Sequence, residues 1–185
     1  FRTMFFANLL QIFLIFSPAF VANAVPVVAK NLPYIRRFSR PVQAEWFGKN
    51  KTVRGLITGI LAGMLVGLLL FLIRGIAVWI LPVYSDYFNL YSSWSGSMFL
   101  GGWLGLGALV GDMVKSFFKR RLGYKPGSMF QPWDGIDYML GAIIFMLPWY
   151  NGGIVEYIFL LIVGPILSLL MNSCAYKIGW KECWY

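Results

Sequence analysis

The chain has 185 residues, 59% of them hydrophobic and 12% charged, with a formal net charge of +9 and no histidine. That composition excludes an ordinary soluble domain. The missing histidine excludes Ser-His or Cys-His nucleophilic chemistry and histidine-ligated zinc or haem. At roughly 20 apolar residues per span, the expected fold is an all-α integral membrane protein. It has about five transmembrane helices in a single polytopic domain covering residues 1–185.

In chain order, a first helix is predicted from Met4 to Ala29, interrupted or kinked near Pro18 and ending around Pro26. Its apolar core, Leu9 to Val28, is long enough to span and has only Arg2 on its flank, so a retained helix is expected rather than a signal peptide. A loop from Lys30 to Thr52 follows, broken by Pro33 and Pro41. The second helix is predicted from Val53 to Leu81, and Gly55, Gly59, Gly63 and Gly67 form a stripe that lets another backbone come close. Pro82 to Gly96 is an aromatic, serine-rich connection suited to a membrane interface.

The third span, Ser97 to Asp112, is dense in glycine and is expected to pack against neighbouring helices and to extend toward Arg121. A second loop breaks at Gly123, Pro126, Gly127 and Pro132. A short fourth span from Ile136 to Trp149 and a fifth from Ile154 to Tyr176 complete the reading. Cys174 in the last span and Cys183 in the tail give no reason to expect a disulfide.

Charge placement sets the topology. Cations cluster after the first span (Lys30, Arg36, Arg37, Arg40, Lys49, Lys51, Arg54), after the third (Lys115, Lys119, Arg120, Arg121, Lys125) and after the last (Lys177, Lys181). The positive-inside rule puts these loops and the C-terminus in the cytoplasm of a cell membrane and the N-terminus outside. A basic membrane face suits anionic headgroups or nucleotides. Nucleic acid is not an expected partner.

The chemistry concentrates in Gly111 to Asp137. Asp112 ends an apolar segment, where an ionised carboxylate is costly unless a cation or metal neutralises it. On a continuing helix, Ser116, Lys119 and Arg120 share its face. A carboxylate, a hydroxyl and two cations on one stripe suit a phosphate chain with Mg²⁺, which prefers oxygen ligands. Asp134 and Asp137 stand ready to add metal ligands; the alternative for both is capping or first-turn duty on the fourth helix. Lys115 and Arg121 read better as ordinary basic flanks.

A second cluster, Lys49, Lys51, Thr52 and Arg54, precedes the second helix and is a candidate phosphate-binding set, although a basic flank would look the same. Asn23, polar within an apolar run, either touches substrate or bonds a neighbouring helix.

The run Ser116-Phe117-Phe118-Lys119-Arg120, then Lys125, then Asp134-Gly135-Ile136-Asp137, resembles the signature of CDP-diacylglycerol synthases. GDMVKSFFKRRLGYKPGSMF with WDGID, and more weakly PAFVANAVPV and GKNKTVRG, are closer to their archaeal relatives, the CDP-archaeol synthases. The lack of histidine, and Gly135 where the diacylglycerol branch has arginine, favour the archaeal branch.

The resemblance implies cytidylyl transfer from CTP to a membrane lipid phosphate with Mg²⁺, within a pocket formed by the two basic cytoplasmic loops. It implies acidic metal and phosphate-site roles for Asp112, Asp134 and Asp137, and polar or basic site roles for Ser116, Lys119, Arg120 and Lys125. An ether lipid (unsaturated archaetidic acid) and an ester phosphatidate both remain open as acceptor. A small transporter is the alternative from another class; apart from Asn23, Arg74, Glu156 and Asn172 the helix interiors give it a poor polar path. A purely structural subunit would leave Asp112 unexplained.

Overall fold

The computed structural model describes residues 2–30, 39–79, 81, 86–124, 128, 130 and 133–180. Among them all regular structure is helical: α1 Arg2–Ala29, α2 Ala44–Phe47, α3 Val53–Ala77, α4 Asp86–Leu90, α5 Trp94–Arg121, α6 Asp137–Met146 and α7 Ile154–Lys177. Four helices, α1, α3, α5 and α7, are long and apolar enough to cross a membrane.

The fourth predicted span is cut down to the ten residues of α6. It still returns the chain to the opposite end of the bundle. Trp103 Nε1 on α5 donates to the Phe145 carbonyl at 2.8 Å, and the Trp149 ring reaches Phe99 at 6.1 Å. Turns at 133–136 and 147–149 bound the helix at its two ends.

α1 runs to Ala29, the predicted end, without an interruption at Pro18 or Pro26. Pro18 has no N–H to offer the Leu14 carbonyl, but the Ser17 hydroxyl donates to that carbonyl at 2.8 Å. In lipid a freed carbonyl has no water to turn to, so a local hydroxyl that satisfies it keeps the helix whole.

Two seams hold the bundle together, and glycine makes both. The stripe on α3 meets the glycines of α5: a Cβ on Gly63 would fall on the Gly101 carbonyl oxygen, and one on Gly67 on that of Ser97. Gly59 faces α1, where a Cβ would come within 2.8 Å of the Ala22 carbonyl oxygen. Across the other face of α5, Cβ atoms on Gly111 and Gly141 would overlap the carbonyl oxygens of Asp137 and Gly107. Backbones approach this closely only where no side chain intervenes, and the gain is dispersion along the whole contact.

The far end is closed by tyrosines. Buried Tyr87 and Tyr91 donate to the carbonyls of Leu70 and Ile15 at 2.5 and 2.8 Å.

Candidate active site

Asp112 lies on α5 nine residues before its end, so it sits inside a helix rather than at a helix C-terminus. The next helix is brought against it by Gly111, which has no side chain to keep the Asp137 backbone away. Asp134 and Asp137 arrive in the turn and first residue of α6. Of the alternative duties on this helix, Asp137 takes the first-turn position, while the N-cap is Ile136, with no side-chain cap. Asp134 Oδ2 instead accepts from the Phe130 N–H at 2.6 Å, and Asp137 Oδ1 from the Gly135 N–H at 2.8 Å.

Gly135 stands at φ +101°, and a Cβ there would meet Pro165 Cα of α7 at 2.9 Å. An arginine at this position has neither the backbone conformation nor the room.

The three carboxylates converge on one ammonium. Lys115 Nζ lies 3.3 Å from Asp112 Oδ1, 3.0 Å from Asp134 Oδ1 and 2.9 Å from Asp137 Oδ2. Lys51 pairs with the other Asp112 oxygen, and Lys119 stands 3.6 Å from Asp134 Oδ2. Formally Lys51, Lys115 and Lys119 cancel the three aspartates. Asp137 Oδ2 is buried and faces the Lys115 ammonium.

Lys51 is delivered by a pinned loop. An isolated bridge joins Pro41 to Thr52, with Val42 N–H donating to the Lys51 carbonyl at 2.8 Å and Val53 N–H to that of Arg40 at 3.0 Å. Thr52 then caps α3, its hydroxyl accepting from the Gly55 N–H at 3.2 Å. Lys119 donates to the Ser128 carbonyl and lies over the Phe130 ring, and Arg120 donates to the Tyr124 carbonyl, so the second loop is folded onto α5 by α5's own cations. Ser116 is buried and donates to the Asp112 carbonyl at 2.9 Å.

These groups line a cavity of about 330 Å³ that also includes Asn23 of α1, Lys30, Lys49 and, from α7, Ser168 and Asn172. Of the residues expected from sequence, the cavity gathers Asn23, Lys49, Lys51, Thr52, Asp112, Ser116, Lys119, Arg120, Asp134 and Asp137. Arg54 is not among them. It is buried, donates to the Ser39 hydroxyl at 2.9 Å and borders a smaller cavity of about 230 Å³. Lys125 falls outside the described residues.

Sequence reasoning missed Lys115, which is the centre of the cluster and not a basic flank. Its i, i+3 spacing from Asp112 was the available signal. Ser168 and Asn172 were also legible as polar residues four apart on an otherwise apolar helix.

Balanced acids and bases at the cavity floor leave Lys30, Lys49 and Arg120 as its excess charge; none of them forms an ion pair among the described residues. Apolar Pro26, Val27, Leu56, Leu109 and Leu169 complete the wall. A multi-pass membrane protein with an anion-accepting, partly apolar cavity at one end of its bundle is the class these features define.

The comparisons narrow that class. The family model described as CarS-like, CDP-archaeol synthase, matches residues 4–185. The CDP-archaeol synthase of Thermococcus onnurineus is 34% identical over 97% of this chain and 98% of its own length. That of Methanococcus maripaludis strain C7 is 33% identical over 91% and 92%. A solved structure, of an intramembrane enzyme for archaeal membrane lipids biosynthesis, superposes with a TM-score of 0.63 at 29% identity, covering 92% of this chain and 95% of that one. The chain belongs to the CDP-archaeol synthase family.

Proposed function

We propose that this protein transfers the CMP moiety of CTP to the phosphate of unsaturated archaetidic acid, giving CDP-archaeol and pyrophosphate. Family membership supports the reaction. The observation that carries it structurally is the cavity itself, where excess cations adjoin an ion-paired floor and an apolar wall reaches toward the lipid.

A lipid phosphate monoester is already anionic, so its oxygen attacks the α-phosphorus of CTP without a base, and the bond to the bridging oxygen of the β-phosphate breaks. What the protein supplies is positioning and charge neutralisation. Lys49, Lys119 and Arg120 hold phosphate oxygens, with Lys51 fixed beside them by Asp112. Arg54 supports the Lys49–Thr52 loop from behind through Ser39. The lipid chains lie against α1, α3 and α7 near Asn23, Ser168 and Asn172.

The donor set fits Mg²⁺. It is all oxygen, and Asp112 Oδ1, Asp134 Oδ1 and Asp137 Oδ2 converge on one point, where the Lys115 ammonium now lies. Asp112 and Asp137 would hold the ion, with Asp134 Oδ1 beside them; Asp134 Oδ2 is committed to Phe130. When bound, Mg²⁺ would offset the negative charge of the phosphates and of the leaving pyrophosphate.

The cavity end of the bundle is cytoplasmic in this reading. Lys30, Lys49, Lys51, Arg54, the cations of α5 and Lys177 lie at that end, and Arg74 at the other. The test is full-length protein with Mg²⁺, α-labelled CTP and either unsaturated archaetidic acid or phosphatidic acid. Label entering the organic phase only with the ether lipid is expected. Transfer to phosphatidic acid alone would replace the acceptor, and transfer to neither by folded protein would remove the reading.

A further inference from the structure

Each of the three aspartates has one oxygen fixed by its surroundings and one turned inward. The fixed oxygens are Asp112 Oδ2 on Lys51, Asp134 Oδ2 on the Phe130 N–H and Asp137 Oδ1 on the Gly135 N–H. The inward oxygens all face the Lys115 ammonium, between 2.9 and 3.3 Å away. Among the described residues no three acidic, His or Cys side chains are gathered as a metal cage, and the Lys115 ammonium lies among the three inward oxygens.

We infer that Lys115 is a built-in competitor of the divalent cation: its ammonium holds the inward oxygens in the ligand-free protein and leaves them when the metal enters. At the point where the three inward oxygens converge, a divalent ion is attracted more strongly than the single charge of one ammonium. Lys115 lines the cavity, so its flexible stem has somewhere to turn, and phosphate oxygens there would accept the ammonium. Metal and nucleotide would then bind cooperatively, each removing the other's obstacle. This inference rests on the Mg²⁺ reading above and assigns Lys115 a positioning role.

The test measures Mn²⁺ binding by electron paramagnetic resonance on the detergent-solubilised full chain, without nucleotide. Lys115→Met keeps the stem and removes the charge, and is expected to bind Mn²⁺ on the order of tenfold more tightly than the unaltered protein. Arg121→Met, a charge control on the same helix, is expected to stay within about twofold. Equal or weaker binding by Lys115→Met overturns the inference and leaves the metal reading intact. Absence of Mn²⁺ binding in both proteins overturns both. If Lys115→Met does not fold, labelling of Lys115 in the unaltered protein by an amine-reactive reagent decides, read by peptide mass spectrometry. Labelling that rises with Mn²⁺ supports expulsion of the ammonium, and labelling that stays level or falls overturns it.

Discussion

Helix α5 and helix α7 are both apolar and of membrane-crossing length, yet half of the central window of α5 is buried and only 11% of that of α7. The first is clamped on two sides by glycine seams and carries the ionised half of the site. The second touches the bundle at a few points, such as the Tyr138 hydroxyl donating to the Gly164 carbonyl at 2.8 Å and Pro165 against Gly135, and offers Ser168 and Asn172 to the cavity. Charged groups need a frame that holds them within tenths of an ångström, because buried carboxylates and ammoniums tolerate no loose partner. A wall that only guides a lipid chain has no such requirement.

That contrast is broken most directly at a seam. Gly63→Val puts a branched side chain onto the Gly101 backbone. It is expected to destabilise the protein by about 3 kcal/mol or more, seen as a lost or strongly lowered unfolding transition. Gly111→Val should do the same and separate Asp112 from Asp137.

Next comes the charge held by the seam. Asp112→Asn removes the carboxylate that joins Lys51 to Lys115, and cytidylyl transfer should fall on the order of 10²–10³-fold in protein that still unfolds cooperatively. Full activity would end the role assigned to Asp112.

The α7 side should respond less. Asn172→Ala is expected to raise the apparent KM for the lipid about threefold with little change in that for CTP. Ile162, exposed on the outer face of α7, should tolerate alanine with activity within about twofold. An effect of Ile162→Ala as large as that of Asp112→Asn would mean that α7 is as tightly built as α5.

Much of this was legible in the chain. Glycine every fourth residue of α3 announced a backbone contact, and Asp112 within an apolar helix announced a partner, because each pattern has few other physical explanations. The reach of α1 to Ala29 was legible; what keeps it unbroken at Pro18 was not, since that depends on where one hydroxyl points. The central place of Lys115 was hidden for a different reason: a lysine at the start of a basic run beside an apolar span is expected of any membrane flank, so taken alone it carries little information. Where Arg54 points was not legible either: its neighbours in sequence group it with the phosphate ligands, and the helix turns it toward Ser39 and the smaller cavity. The short helices α2 and α4 lie in loops whose prolines and aromatics gave no period to read.

The glycine seams also bear on how the protein responds to the thickness of its bilayer. Helices that meet through side chains accommodate stretching by sliding or tilting a little past one another. Between α3 and α5 the carbonyls of one backbone sit where the other has no Cβ, so a small slide meets a backbone atom instead of a movable side chain. A thicker or thinner membrane must therefore be absorbed by the outer surfaces, α7 and the aromatic ends among them. Lys51 on the threshold of α3 and Asp112 on α5 keep their spacing, and the reaction centre is mechanically insulated from the lipid that the proposed reaction helps to make.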